Sequence, residues 1–482
     1  MNRRSFLLSA GGVVAHPLLN SLVASPSGLL YAAQQSAAQQ TAPKNAPSKP
    51  PLSKPDHSLT IQPCTLEISP GVNIKTIAYN GQVPGPLLRL RQGLPVTIDV
   101  TNTTGNEDIV HWHGLTTDPL NDGAMEEGSP MIPAGGILRY HLTPNPAGSR
   151  WYHTHVSAGA NLALGTYTGQ FGFLLVEGSG DPGHYDQEIF LAIHHWQPSF
   201  VPMVETMQAE SANHPMTSGS DVGYQYATIN QQRLGAGEPL RVKQGQRVLL
   251  RLLNASATEN VVLALPGHTF RVIAMDGNPV PNPREVEVVS LAVAERVDAI
   301  VEMNRPGVWI LGALRNAARQ AGMGIVVEYA DQKQRPQWLP LRRTRWDYTI
   351  FGKPSPHPAP DQTIDMVFEK VPGGPHGINH WLVNGKEYPH EREFVFRQGR
   401  RYRLVFHNRS DDSHPLHIHR HLFELVELNG KPTAGIMKDT VIVPAFGRVT
   451  VDLVADQPGL TLFHCHIQQH MDFGFKALFR YA

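Results

Sequence analysis

Short runs that alternate apolar and polar residues, such as Val96–Val100 and Val248–Leu252, recur along the chain, and each follows a glycine turn. Alternation with period two is the mark of a strand that buries one face. The runs belong to a larger unit that occurs three times. Its first copy reads Tyr79-Asn80-Gly81, then Arg91-Gln92-Gly93, then a strand ending at Asn102. The second reads Ile229-Asn230-Gln231, Lys243-Gln244-Gly245 and ends at Asn254; the third reads Val383-Asn384-Gly385, Arg397-Gln398-Gly399 and ends at Asn408. The glycine precedes the closing asparagine by the same interval each time, and successive copies lie about 150 residues apart, a domain-sized period. Strand, glycine turn, alternating strand is the grammar of a Greek-key sandwich, so the pattern predicts an all-β chain of three β-sandwich domains in which these turn residues hold the fold.

Composition agrees with many short strands. The 482 residues include 43 glycines and 40 prolines, and only 17% are charged. Net charge is zero, which argues against selection of a nucleic acid or an anionic membrane surface as partner. Only Cys64 and Cys465 are present, so a disulfide framework is excluded if Cys465 serves a metal; Cys64 is expected to be a small buried residue.

The first residues read as an address. Asn2-Arg3-Arg4-Ser5-Phe6-Leu7-Leu8 sets twin arginines before a short apolar stretch, which resembles a twin-arginine (Tat) export signal ending between about Ala24 and Ala33. The apolar run is too short for a permanent span. A Gln-, Ala-, Pro- and Lys-rich segment follows and is read as a disordered tether. The chain therefore divides into a signal at 1–33, a linker at 34–57 and domains at 58–178, 179–335 and 336–482. The last boundary falls near Gln334-Arg335-Pro336 and Arg342-Arg343, a polar, proline-containing stretch.

Four His-x-His units stand out: His111-Trp112-His113, His153-Thr154-His155, His417-Ile418-His419 and His464-Cys465-His466. On a strand, positions i and i+2 share a face, so each unit presents two imidazoles together. One such pair is commonly incidental or part of a mononuclear zinc site. Eight imidazoles exceed the needs of any mononuclear site and point to a metal cluster. The pairs occur only in the first and third copies of the repeat, which places the cluster between those domains with the second as a spacer. Within the last unit, alternation turns Cys465 away from His464 and His466, so one residue separates two metal centres. A thiolate with two imidazoles forms the trigonal blue-copper site, and His470 supplies one of those imidazoles.

From about Leu59 to the end the chain resembles the multicopper oxidases, the family of laccases, ascorbate oxidase and bacterial cuprous oxidases. The resemblance rests on His111-Trp112-His113-Gly114, Trp151-Tyr152-His153-Thr154-His155, His414-Pro415-Leu416-His417-Ile418-His419 and His464 to His470. It implies three cupredoxin-like domains and four copper ions. Type 1 copper would take His414, Cys465 and His470, and type 2 copper His111 and His417. One type 3 copper would take His113, His153 and His466, the other His155, His419 and His464. Relatives that have become structural or cell-division proteins lack some of these ligands, whereas every position is filled here, and a copper-storage protein would not need a cysteine between two cluster ligands.

The resemblance also implies a mechanism. Electrons from a one-electron donor would enter at type 1 copper, cross Cys465 to His464 and His466, and reduce O₂ to water. Asp122 lies where relatives carry an acidic residue that assists protons; read locally, Asn121-Asp122-Gly123 is equally an ordinary turn. Where several bacterial relatives place a proton-delivering Glu, this chain has Met471. Where many place an axial Met, it has Phe475, which cannot coordinate and so is expected to raise the type 1 potential. The substrate is expected to be a phenol or similar reductant, as in laccases, with Cu(I) the runner-up. Met203, Met207 and Met216, with His214, fall in one long stretch but form no dense thioether cluster. His194-His195, His376 and His380 match none of the motifs and are read as structural or surface residues. Export would place the enzyme in the periplasm or elsewhere in the bacterial cell envelope, without stable membrane insertion after processing by the Tat machinery.

Overall fold

The three copies of the repeat adopt one geometry. Asn80, Asn230 and Asn384 all have positive φ, between 52° and 55°, a conformation that asparagine tolerates because its short side chain bonds locally. Each side-chain oxygen accepts from a strand amide, that of Thr60, Ala192 or Val367, at 2.7–2.8 Å. The closing asparagines match as well. Asn102, Asn254 and Asn408 are buried; each Nδ2 donates to two carbonyls, and each Oδ1 accepts from the amide two residues on. With each such bond worth about 1 kcal/mol, the asparagines are fold determinants.

This computed structural model describes residues 53–178, 183–202, 220–342, 344–353, 355–373, 377–389 and 394–482. The Tat-like segment, residues 34–52 of the expected linker, Met203, Met207, His214, Met216 and His376 lie outside the described residues. None of the described helices is long and apolar enough to cross a membrane.

Each unit is a sandwich of two sheets. In the third, one sheet runs in the order His380–Val383, Gln362–Val371, Arg401–Asn408, Arg448–Val454, Phe423–Leu428, Lys431–Lys438. The facing sheet runs Phe394–Phe396, Lys476–Tyr481, Thr461–Cys465, His414–Ile418, Thr440–Val443. The middle unit, from Gln187–Pro202 to Gly324–Tyr329, repeats both orders strand for strand.

The first unit keeps only four strands per sheet. Where its counterparts place a hairpin and the strand after it, it carries the one-turn helix Pro119–Asp122 and the 3₁₀ turn Met125–Glu127. Asp118 caps the helix by accepting from the amides of Leu120 and Asn121. Gly123 ends it at φ +88°, and a Cβ there would lie 1.8 Å from the Val110 carbonyl oxygen. This insertion drives Asp122 and Glu127 inward toward the third unit.

Cores fill each sandwich, with Leu59, Ile98, Tyr140 and Leu174 in the first and one continuous cluster through the other two. A separate cluster around Trp151, Phe171 and Trp196 packs the first unit on the middle one. Cys64 packs at the edge of that cluster; it is half-buried rather than buried, because its strand His57–Ser69 turns that position partly outward.

Candidate metal centre

Strands Thr461–Cys465 and His414–Ile418 pair antiparallel, with His417 opposite His464 and Leu416 opposite Cys465. Alternation along the first strand sends His464 into the gap between the first and third units and Cys465 into the third unit's own core. The helix Gln468–Asp472 then folds His470 back. Cys465 Sγ lies 3.7 Å from His414 Nδ1 and 3.5 Å from His470 Nδ1, and those nitrogens are 3.1 Å apart. His414 Nε2–H donates to Ser410 Oγ at 2.8 Å, leaving its Nδ1 lone pair for the triad. The Phe475 ring is fully buried, its centre 4.8 Å from that of His414. Trp381 lies 4.0 Å from His470. All three residues of the triad are buried, His470 least so at 7% exposure.

The eight paired histidines converge between the first and third units. Their hydrogen bonds fix where their lone pairs point. Nδ1–H donates to the Asp122 carbonyl from His111 (2.9 Å), to the Asp439 carbonyl from His417 (2.7 Å), and to Asp122 Oδ2 from His419 (2.7 Å). In His153 and His464 it donates to the carbonyls of Thr154 and Cys465. These five rings therefore offer Nε2. His113 is reversed: its Nε2–H donates to Asp439 Oδ1 at 3.0 Å, so Nδ1 is the free atom.

Those free atoms face one another. Nε2 of His111 and His417 stand 3.4 Å apart, and Nε2 of His419 and His464 stand 3.0 Å apart, with no proton left to share. His113 Nδ1, His153 Nε2 and both ring nitrogens of His466 are buried without a partner. Lone pairs opposed at this range, and buried polar atoms unsatisfied, call for a cation between them. Candidate ligand atoms group as His113 with His153 and His466, His155 with His419 and His464, and His414 with Cys465 and His470; His111 and His417 share a group with His113. The soft thiolate set suits copper, and imidazoles suit copper, zinc or iron. Burial, reinforced by neighbouring imidazoles, holds His113, His153, His155, His464 and His466 well below the usual histidine range, and burial pushes His414 and His417 down to about 3. Neutral imidazole is the metal-binding form. Burial pushes the Cys465 thiol up, so a bound cation must draw off its proton.

Groups around the ligands carry much of the design, and several had no signal in the sequence. Asp122 serves two rings, His111 through its carbonyl and His419 through its carboxylate, and its Oδ1 is buried without a partner. Glu127 accepts from the Leu462 amide at 2.6 Å, pairs with Arg420 and lies 3.7 Å from His419 Nδ1. Asp439 bonds to His113 through its side chain and to His417 through its carbonyl. Burial would favour its neutral form, but the Arg296 guanidinium beside it holds its carboxyl well below the usual carboxylate range. The middle unit thus does more than space the others, for Arg296 belongs to it. Arg296 opens the strand Arg296–Glu302, where a charged residue is ordinary, so local sequence offers no hint of this role.

The remaining residues singled out in the sequence fall elsewhere. Met471 lines a small cavity with His155, His464, His466, Thr166 and Gln468, on the cluster side. His194 donates through Nδ1 to the Ala255 carbonyl at 2.8 Å, and His195 bonds Ser256 at 2.6 Å, both away from the cluster. His380 pairs with Glu387 at 2.8 Å.

Three family models described as multicopper oxidase match residues 60–181, 197–329 and 356–482. Multicopper oxidase MmcO of Mycobacterium tuberculosis is 29% identical, over 86% of this chain and 84% of its own. Laccase-1 of Botryotinia fuckeliana is 25% identical, over 88% of this chain and 82% of its own. Among solved structures, a multi-copper oxidase from Pseudomonas thermotolerans superposes with a TM-score of 0.67 at 26% identity, covering 88% of this chain and 98% of that one.

Proposed function

The chain belongs to the multicopper oxidase family, and from that premise we propose that it is a laccase-like enzyme that couples one-electron oxidation of phenols or similar reductants to the four-electron reduction of O₂ to water. The observation that carries this reading is the position of Cys465: its sulfur faces His414 and His470, while its two chain neighbours belong to two separate imidazole groups. In this reading His414, Cys465 and His470 hold a type 1 copper, and His111 and His417 a type 2 copper. His113, His153 and His466 hold one type 3 copper, and His155, His419 and His464 the other. Copper bound at these places supplies reversible one-electron chemistry at the first site and O₂ reduction at the cluster.

The chain's own residues shape the reaction around those groups. His470, the least buried member of its triad, is the edge nearest to an approaching reductant. Trp381, itself buried, packs against the His470 ring at 4.0 Å and fixes that edge from the inside. The bonds from Cys465 to His464 and His466 form the shortest covalent route inward. Asp122, unpaired at Oδ1 and bonded to His419 at Oδ2, is placed to hold a proton for oxygen at the cluster. Gln468 accepts from Thr166 through Oε1 and donates to Asp472, bracing the wall of the cavity beside His155 and His464.

The twin arginines near the start support export by the Tat route to the cell envelope, and the repeat supports three cupredoxin-like domains at 58–178, 179–335 and 336–482. The substrate test is steady-state turnover of a substituted phenol and of Cu(I), each with and without added Cu(II). Phenol turnover that does not depend on added Cu(II) is expected; turnover of Cu(I) alone would reassign the enzyme as a cuprous oxidase.

A further inference from the structure

Arg296 sits where all three units meet. Its side chain has no exposed surface, and all of its N–H groups are engaged. Nε donates to the Ser149 carbonyl of the first unit at 3.3 Å. Within the middle unit, Nη1 donates to the Ala294 carbonyl at 3.1 Å and Nη2 to the Asp276 carbonyl at 3.3 Å. The other two donors form a two-pronged pair with Asp439 of the third unit, Nη1 to Oδ1 at 2.7 Å and Nη2 to Oδ2 at 2.5 Å. A guanidinium fork fixes a carboxylate in plane and in rotation, which a single contact does not.

What Asp439 holds gives that clamp its consequence. Its Oδ1 accepts from His113 Nε2 and so decides that this ring, unlike the five other rings of the cluster whose protons are assigned, turns Nδ1 inward. Its carbonyl accepts from His417 Nδ1 and so turns Nε2 of that ring toward His111. Asp276, also of the middle unit, holds the same segment by accepting from the Thr440 amide at 3.2 Å and from Lys438 Nζ at 2.9 Å. Arg150 lies 3.7 Å from Asp439 Oδ2, but its donors go to the side chain of Asn278 and the carbonyls of Asp276, Pro146 and Ala147. One Nη1–H is left to it, so it can offer Asp439 a single contact but not the two-pronged one that Arg296 makes.

We propose that Arg296 is a positioning residue for the imidazole cluster: the middle unit, which contributes no ligand, sets the orientation of His113 and His417 through the Arg296–Asp439 pair, and by this means governs copper occupancy at the cluster without governing the Cys465 site. The proposal rests on the ligand assignment given above.

The test uses the copper-loaded full chain with Arg296→Met and Arg296→Lys. Arg296→Met should keep the blue band of the Cys465 site at full intensity per chain while the type 2 electron paramagnetic resonance signal falls to less than half. Arg296→Lys, which keeps the charge but loses the fork, should retain the signal with altered copper hyperfine splitting, and it decides the matter alone if the Met variant does not fold. Asp439→Asn combined with Arg296→Met should add no further loss beyond either single change, as expected for residues acting in series. Wild-type type 2 signal and copper content in both variants would overturn the proposal, as would parallel loss of the blue band and the type 2 signal, the sign of a purely structural role. A wild-type protein that loads without a type 2 signal would overturn the ligand assignment itself, and this proposal with it.

Discussion

Asp122 Oδ2 lies 2.7 Å from Nδ1 of His419, while the Asp122 carbonyl accepts from His111 at 2.9 Å, so one residue from a one-turn helix orients imidazoles from two units. Asp122→Asn preserves the shape and the carbonyl contact but removes the charge. O₂ reduction should fall by roughly 10–100-fold, the usual cost of changing a group behind a metal ligand, with the copper content unchanged. Oxygen consumption at matched copper loading checks this, and an unchanged rate would remove Asp122 from proton handling.

Cys465 is the only thiol in the triad with His414 and His470. A hydroxyl does not replace thiolate as a soft ligand. Cys465→Ser should abolish both the blue band and turnover, and persistence of either contradicts the route from Cys465 to His464 and His466.

Phe475 packs against His414 with no exposed surface, and Trp381 and Phe368 border it at 6.0 and 4.8 Å. Its ring supplies no electron pair to the site and keeps it dry. Phe475→Met, close to volume-conserving, offers a thioether that stabilises Cu(II). The type 1 potential should fall, as redox titration of the blue band would show, and a potential unmoved or raised would refute the assignment of this position.

Gly114 has φ +85°, and a Cβ there would lie 2.7 Å from Asp439 Oδ2 and 2.8 Å from Arg296 Nη2. Gly114→Ala combines backbone strain with collision against a fixed ion pair, so a loss of about 1–3 kcal/mol of stability is expected. Chemical denaturation measures it. Gly93→Ala, at φ +74° with open space around the Cβ, isolates the backbone contribution and should cost less.

His194, buried between Phe171 and Trp196, has its pKa pushed by burial down to about 4, against the help of its bond to the Ala255 carbonyl. With an unfolded value near 6.5, the unfolded chain takes up more protons between those limits. His194 therefore adds stability in full above about pH 6.5, and that contribution is lost as pH falls toward 4. Its ceiling is about 3 kcal/mol. Denaturation midpoints of the copper-free protein between pH 4 and 7 should show a shallower slope for His194→Gln than for the wild type.

The candidate ligands of the four His-x-His units and the Cys465–His470 spacing were legible in the sequence because each is local, whereas His414 entered only through the family resemblance. His-x-His places two rings on one face by the geometry of a strand, and the spacing from Cys465 to His470 is bridged by one turn of helix. The glycine and asparagine repeat was legible for the same reason, since positive φ and a short amide side chain are properties of single residues. Tertiary structure alone decided the rest. Arg296, Asp439, Glu127 and Arg420 come from separate strands and turns, and nothing within a few residues of any of them reveals its partner. A buried charge is tolerable only where an opposite charge arrives from elsewhere in the fold, so its role exists only once the chain has closed around it. The sequence by itself determined which residues are candidates to hold a metal; folding decided which way the rings face and which nitrogen each offers, and that depends on the packing of all three units.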